Sequence, residues 1–348
     1  MKQLSIGVVI PAYKVRNQIL AVIGRIGPES SCIIVVDDHC PAGSGSVVRD
    51  HCSDPRVTVI RHERNKGVGG AVVSGYKCAL ERGMDIVVKI DGDGQMAPEL
   101  IGSIVSPILA GEADYTKGNR FFNPEDVSRM PRIRLIGNAA LSFITKLSSG
   151  YWSVFDPTNG FTAIHARLLP VLGLDKLSER YFFESDMLFR LNIIRAKVVD
   201  VPMVACYGDE ESNLEIHEIL TEFMGANIRN ACKRVFYSYF LRNFSIASIY
   251  LVAGLSLLAF GGIFGAINWQ RSLATSVEAS SGTVMLAALP VLIGLQLLLN
   301  FMAYDVSAEP SAPIHPRLTR LAPQRAPLAA LAHGARAAPS IEAPESVE

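Results

Sequence analysis

Short apolar runs rich in β-branched residues recur through the first ninety positions: Ser5 to Pro11, Cys32 to Asp37, Val57 to Arg61 and Asp85 to Ile90. Each is bounded by polar or turn-forming residues, the signature of a buried strand. Segments with helical spacing lie between or after them, at Val15 to Ile26, Gly67 to Arg82 and Pro98 to Leu109. Strands alternating with helices predict an open α/β domain built on a mostly parallel sheet. In such sheets ligands bind beyond the carboxyl ends of the strands. Pro11-Ala12-Tyr13, Asp37-Asp38 and Asp91-Gly92-Asp93 all fall there.

The pattern changes in the last third. From Asn213 to Phe244 the apolar positions Leu214, Ile216, Ile219, Leu220, Phe223, Met224 and Ile228 repeat at helical spacing and lead into the basic, aromatic stretch Lys233 to Arg242. Such a segment suits the bilayer surface, and an ordinary helix packed on the domain is the other reading. Residues 246–267 and 282–304 carry no charge, and each run reaches the ~20 residues a helix needs to cross a bilayer. They predict a two-helix transmembrane hairpin. Lys233, Arg234 and Arg242 precede it and Arg317, Arg320 and Arg325 follow it, so both termini and the large polar domain are expected on the cytoplasmic side. With no signal peptide ahead of Leu4, that domain is expected to stay where it is made. The Ala-, Pro- and Arg-rich stretch after Asp305 has no periodicity and is expected to be disordered. The resulting division is a catalytic domain over residues 1–212, juxtamembrane helices over 213–244, the hairpin over 245–305 and a tail over 306–348.

Charge adds an exclusion. Thirty-three basic side chains balance 33 acidic ones in 348 residues, which argues against nucleic acid as a partner. The six cysteines show no Cys-x-x-Cys pair, so neither a zinc site nor a disulfide framework is expected. The sharpest local feature is Asp91-Gly92-Asp93-Gly94-Gln95 after the apolar run Ile86-Val87-Val88. Two carboxylates ~4 Å apart repel by about 1 kcal/mol in water and more when desolvated, so a divalent cation is a natural occupant. A turn is the other reading of the same residues, since Asp and Gly favour turns. The convergence of three acidic or aromatic segments on one sheet edge favours the ion.

These landmarks, read in order, resemble a known family. Val9-Ile10-Pro11-Ala12-Tyr13, Val35-Val36-Asp37-Asp38, Asn65-Lys66-Gly67-Val68-Gly69-Gly70-Ala71, Asp91-Gly92-Asp93-Gly94-Gln95, Gly118-Asn119-Arg120 and Asp156-Pro157-Thr158-Asn159-Gly160-Phe161 are similar to the motifs of family 2 glycosyltransferases with the GT-A fold. Within that family the resemblance is to the polyprenyl-phosphate glycosyltransferases, the group that includes dolichyl-phosphate mannose synthase. It implies a Rossmann-like catalytic domain and transfer of a hexose from a UDP- or GDP-linked donor to a polyprenyl phosphate. It also implies Mg²⁺ or Mn²⁺ as cofactor.

The resemblance assigns roles. Pro11, Ala12, Tyr13 and Asp38 would line the base and ribose, with Asp38 accepting a hydrogen bond from the base; Lys66, Gly67, Asp91 and Gly92 would complete the nucleotide site. Asp91, Asp93 and Gln95 would hold the metal. Arg120 and a basic residue of the Arg132 to Arg134 stretch, taken as Arg134, would meet phosphate oxygens, and Asp156 would work beside the acceptor. Taken singly, Asp38 also reads as a helix cap, Asp156 as a turn former and Arg120 as a surface charge. Gly67-Val68-Gly69-Gly70 is neither a Walker loop nor a dinucleotide fingerprint; it either lets a helix approach the nucleotide or packs that helix on its surroundings.

The chemistry follows from the parts. A lipid phosphate monoester, with a second pKa about 6, is mostly dianionic at pH 7 and needs no general base. A single in-line displacement with inversion is expected, Asp156 orienting more than deprotonating. Gly261 and Gly265, four apart, predict close packing of spans from different protomers, as a dimer or tetramer. Some positions depart from the family: His39-Cys40 and Pro41-Ala42-Gly43 stand where Gly-Ser or Asn-Ser and Pro-Asp-Gly are usual. Cys206 to Asn213 keep only Ser212 of a run normally preceded by an Arg. Glu184 and Asp186 either face the sugar or cap the following helix. Other readings are a different lipid or polysaccharide acceptor, or a sugar-nucleotide binding membrane protein without turnover. The metal carboxylates argue against the last. A processive synthase would carry Gln-x-x-Arg-Trp and more spans, and neither is seen.

Overall fold

A computed structural model describes residues 4–122, 132–203 and 216–320. Seven strands form one sheet: β1 (Ile6–Ala12), β2 (Ser30–Asp37), β3 (Val57–Arg61), β4 (Ile86–Lys89), β5 (Tyr115–Asn119), β6 (Thr162–His165) and β7 (Val198–Pro202). Their order is β3-β2-β1-β4-β6-β5-β7. β1, β2, β3 and β4 pair in parallel, β6 runs antiparallel between β4 and β5, and β7 is parallel to β5. The sheet is therefore mostly parallel, as the alternation of strands and helices predicts.

Strand residues alternate between two cores because successive side chains point to opposite faces. Val9, Ile34, Val36 and Val87 pack on one side with Val72 and Tyr76 of α3 (Gly67–Glu81). Val8, Ile33, Val35 and Val88 pack on the other with Ile19 and Val22 of α1 (Ile19–Gly24) and Ile104 of α4 (Ile101–Leu109). Both faces are covered, which is why these strands read as continuous apolar runs. The helix expected from Val15 to Ile26 is confined to α1. Helices α2 (Ser44–His51), α5 (Arg132–Ser149) and α6 (Phe183–Ile193) carry no bounds from the sequence.

Helix α7 (Ile216–Phe236) passes through a wide π-helical turn at Tyr237–Arg242 into α8 (Ile246–Thr275), which turns back as α9 (Ser281–Ser307). Both helices are long and apolar enough to cross a membrane, and most of their surface is not covered by protein. Thirty residues rise about 45 Å, so α8 outreaches the ~30 Å hydrocarbon layer. Its extra turns hold Trp269 and Arg271, which is why the helix runs past the expected end at Ile267.

One expectation gains a contact within the chain, and another is corrected. Gly261 packs within the hairpin: a Cβ there would lie 2.7 Å from the Ala287 carbonyl oxygen, and one at Gly254 would lie 3.1 Å from that of Gly294. The small-residue face thus serves the contact between α8 and α9 of one chain. The stretch after Asp305 is ordered as far as it is described, to residue 320, because it finds partners on the catalytic domain. Glu309 accepts from the Trp152 and Ser153 N–H groups at 3.0 Å. Asp114, wholly buried, accepts from the Ile314 and His315 N–H groups and from the His315 ring, each at 2.8 Å. The His315 ring stacks on His165 at 4.3 Å. Burial alone would raise the Asp114 carboxyl; its hydrogen bonds reverse this and hold it below its ordinary value.

Candidate active site

At the carboxyl ends of β1, β2 and β4 lies a cavity of about 580 Å³. Parallel strands in register deliver its walls: Ile10 pairs with Val35, Ala12 with Asp37 and Val9 with Lys89. Eight expected residues meet there, namely Pro11, Ala12, Tyr13, Asp38, Gly67, Asp91, Gly92 and Asp93. Lys14, Asn65, Arg180 and Tyr181 also line it; Asn65 stands in a landmark motif without a role, and the sequence reading missed the other three.

Asp38 is held inside the protein. Its Oδ1 accepts from Lys66 N at 2.8 Å and pairs with His62 Nδ1 at 2.7 Å, while Oδ2 accepts from Gly67 N at 2.7 Å. The carboxylate therefore anchors the first N–H groups of α3, where the helix dipole also favours an anion. Asp38 thus serves α3 and not the next helix, α2, and the residue borders the cavity as well. Lys66 contributes its backbone N–H to this anchor and lies outside the lining. His62, whose other ring nitrogen meets Ser74 Oγ at 2.9 Å, was not foreseen.

The glycines of Gly67-Val68-Gly69-Gly70 serve packing. A Cβ at Gly69 would sit 2.1 Å from the Ser178 carbonyl oxygen, and one at Gly67 would meet that of Glu179 at 2.5 Å. Gly70 N donates to Glu179 O at 3.1 Å. The N-terminus of α3 is thereby stitched to the segment that carries Arg180 and Tyr181. Where the family pattern fails, His39 adopts φ 53° and Cys40 N donates to Asp37 Oδ1 at 2.8 Å.

Lys89 explains how Asp91 is held. This residue is 1% exposed, and its Nζ lies 3.0 Å from Asp91 Oδ1 and 2.9 Å from Glu184 Oε1. Burial would depress the ammonium, but the Asp91 and Glu184 charges reverse this and keep it above its ordinary value. Glu184 thus enters the site through Lys89. Asp186 faces away from it, accepting from Ser178 N, Arg190 Nε and Asn230 Nδ2. A lysine inside the strand Ile86-Val87-Val88-Lys89, just before an acidic pair, was the available signal.

Asp91 and Asp93 are partly exposed on the cavity wall, and among the described residues no third His, Cys, Asp or Glu joins them. Two hard carboxylate donors on an open cavity, with the remaining positions left to water and substrate oxygens, fit Mg²⁺ or Mn²⁺. The Gln95 side chain is exposed and outside the cavity lining; its N–H donates to Asp93 Oδ1 at 2.9 Å. Gln95 shapes the Asp93 turn, and the structure gives no support to its amide as a ligand.

Arg120 and Asp156 form one unit. Asp156 is wholly buried and receives Arg120 Nε at 2.7 Å and Nη2 at 3.0 Å. The pair borders the same sheet edge, because the loop that follows Asp156 brings Gly160 against Asp91: a Cβ there would lie 2.4 Å from Asp91 Oδ2. Lys117, fully buried on β5, donates to the Asn159 carbonyl in that loop, and burial pulls its pKa down to about 8. Arg134 lies on α5 with its side chain outside the described residues, as do Cys206 to Asn213.

Residues 7–173 match the model of Glycosyl transferase family 2. The chain is 33% identical over 223 residues to UDP-N-acetylglucosamine--dolichyl-phosphate N-acetylglucosaminyltransferase of Methanococcus voltae, covering 60% of this chain and 88% of that protein. It belongs to glycosyltransferase family 2. A second member, polyprenol monophosphomannose synthase of Mycolicibacterium smegmatis, is 29% identical over 235 residues, 66% of this chain and 84% of the relative. The family's fold also appears in glucosyl-3-phosphoglycerate synthase from Mycobacterium tuberculosis, solved with UDP, at a TM-score of 0.51 and 21% identity over 66% of this chain and 80% of that one. As a family 2 member the chain is a glycosyltransferase.

Proposed function

We propose that the chain moves a hexose from a nucleotide diphosphate sugar to a polyprenyl phosphate at the cytoplasmic face of a membrane. The observation that carries this is the joining, in one chain, of a cavity holding Asp91 and Asp93 with a hairpin long enough to span a bilayer. A polyprenyl phosphate keeps its tail in the bilayer and presents its phosphate at headgroup level, so the hairpin holds the domain where that acceptor lies. The two relatives named for lipid-phosphate sugar transfer support the same acceptor.

The base and ribose lie along Pro11, Ala12 and Tyr13. Arg180 offers a guanidinium to the diphosphate, and Lys14 a second cation. Asp91 and Asp93 would hold a divalent ion, which would supply Lewis-acid neutralisation of the charge that develops on the departing diphosphate. Lys89, 3.0 Å from Asp91 Oδ1, holds that carboxylate in place as the charge grows. Arg120, pinned by Asp156, holds the acceptor phosphate in line. A phosphate oxygen then bonds to the anomeric carbon as the bond from that carbon to the diphosphate oxygen breaks, its electron pair leaving with the diphosphate. Both Asp156 oxygens are engaged by Arg120, which supports an orienting role for this carboxylate.

The test is incubation of membranes containing the chain with a panel of labelled UDP- and GDP-sugars, polyprenyl phosphate, and Mg²⁺ or Mn²⁺. A lipid-linked sugar with one donor, inverted at the anomeric carbon and lost in Asp93→Ala, is the expected result. No lipid-linked product with any donor refutes the proposal, and a retained anomer refutes the single displacement.

A further inference from the structure

A second polar cavity, of about 230 Å³, lies where the catalytic domain meets the hairpin. Arg195, Arg234 and Arg242 line it, with Ser245 at the start of α8 and Asp305 near the end of α9. Those two helix ends place it at the level where a bilayer gives way to headgroups. It is separate from the transfer site: Arg195 precedes β7, at the amino-terminal edge of the parallel strands, while Asp91 and Asp93 follow the carboxyl end of β4.

The charges do not balance. Asp305 pairs with Arg234 through two hydrogen bonds, Nη1 at 2.6 Å and Nη2 at 2.9 Å, and also accepts from Tyr239 Oη at 2.5 Å and Trp152 Nε1 at 3.0 Å. Glu309, nearby in sequence, is taken up by Trp152 and Ser153. Three guanidinium groups facing one carboxylate leave an excess of two positive charges on the lining.

Two of these groups also have unused donors. Arg234 is 4% exposed, yet its Nε is buried without a partner, and so is Nη1 of Arg242. Arg242 is held by its other nitrogen on the Ile193 carbonyl and lies over the Tyr237 ring at 4.9 Å. Arg195 stands at φ 64°, a left-handed conformation that favours glycine, and donates to the Ala308 carbonyl at 2.5 Å. A buried guanidinium N–H without an acceptor is costly.

We infer that this cavity binds a phosphate-bearing anion at the bilayer surface, clamped by Arg195, Arg234 and Arg242. Guanidinium forks match phosphate oxygens in geometry and charge. The inference rests on the hairpin lying in a membrane and on nothing in the transfer reaction. A phospholipid headgroup and free phosphate share this chemistry, and binding measurements separate them.

Full-length protein in detergent is titrated with inorganic phosphate and, separately, with phosphatidylglycerol in mixed micelles. Thermal unfolding and native mass spectrometry are the readouts, with no nucleotide sugar present, so failure here leaves the proposed transfer untouched. A retained phosphatidylglycerol adduct with a raised unfolding midpoint identifies the lipid as the source. The same protection by inorganic phosphate without a retained lipid identifies free phosphate. In either case Arg242→Gln should bind about tenfold more weakly, the value of one lost charge-assisted hydrogen bond, and Arg242→Lys should recover part of the loss. Should Arg242→Gln fail to fold, Arg195→Asn, which keeps a residue tolerant of positive φ, takes its place with the same expectation. The proposal is overturned if neither ligand shifts the midpoint, or if the variants respond as the wild type does.

Discussion

Lys89 and Glu184 face each other at 2.9 Å across the domain core, and the same ammonium reaches Asp91 on the cavity wall at 3.0 Å. Removing the cation leaves two carboxylates sharing a poorly solvated space. Lys89→Met should therefore cost about 3–5 kcal/mol, the usual penalty for breaking a buried pair, read as a lower thermal midpoint. Lys89→Met combined with Glu184→Gln should regain part of that stability without regaining sugar transfer, because Asp91 would still lack its counter-charge.

The Arg120–Asp156 pair separates orientation from proton transfer. Asp156→Asn keeps the shape but weakens the grip on Arg120, and transfer should fall by about 10²-fold, corresponding to about 2.7 kcal/mol. If Asp156 only orients, the pH profile of the remaining activity keeps the wild-type acidic limb. A limb that disappears in Asp156→Asn identifies the residue as a base.

Replacing glycine by alanine in a helix ordinarily gains about 0.5–1 kcal/mol. At position 69 the sign should reverse, because the new Cβ would lie 2.1 Å from the Ser178 carbonyl oxygen, a backbone atom. Gly69→Ala should lower stability and raise the KM for the nucleotide sugar, since it pushes away the segment carrying Arg180 and Tyr181. Gly102→Ala, in α4 with no atom within 4 Å of the added Cβ, is the control and should be neutral or mildly stabilising.

Acid should loosen the attachment of residues 309–318. Burial, with the His315 and Arg167 charges added, lowers the His165 pKa to about 4, against the partial opposition of Asp85 and Asp114. The unfolded chain protonates this ring near pH 6.5, before the folded chain does. Its contribution is thus complete above about pH 6.5 and is lost as pH falls toward 4, up to about 3 kcal/mol in all. Asp114, held below its ordinary value, extends the loss to lower pH. Thermal midpoints measured from pH 7 to 4 should fall more steeply for the wild type than for His165→Gln.

Much of the nucleotide half was legible in the sequence. β1 to β4 are buried on both faces, so their apolar runs are long and their ends expose the motif residues directly. β5 to β7 escaped because Tyr-Thr-Lys-Gly-Asn carries three polar side chains and a glycine, and Thr162–His165 is four residues long. At the site, residues inside a motif were recoverable, whereas Arg180 and Tyr181 reach the cavity, and His62 reaches Asp38, through tertiary packing. Composition misled after Asp305, since Ala and Pro suggested disorder while Glu309, Ile314 and His315 supplied the contacts. The Gly261 stripe reads two ways: spacing reveals a close helix approach, and a partner within the same chain satisfies it as well as another copy does.

The clip of Glu309 and His315 onto the catalytic domain has a mechanical consequence. The chain leaves that domain once, through α7, and comes back to it after the two long apolar helices of the hairpin. A body on a single tether tumbles about its anchor, and its reach is a statistical average. Fastened at two separated points, it keeps one rotational freedom at most, so the height and tilt of the cavity above the lipid become properties of the fold.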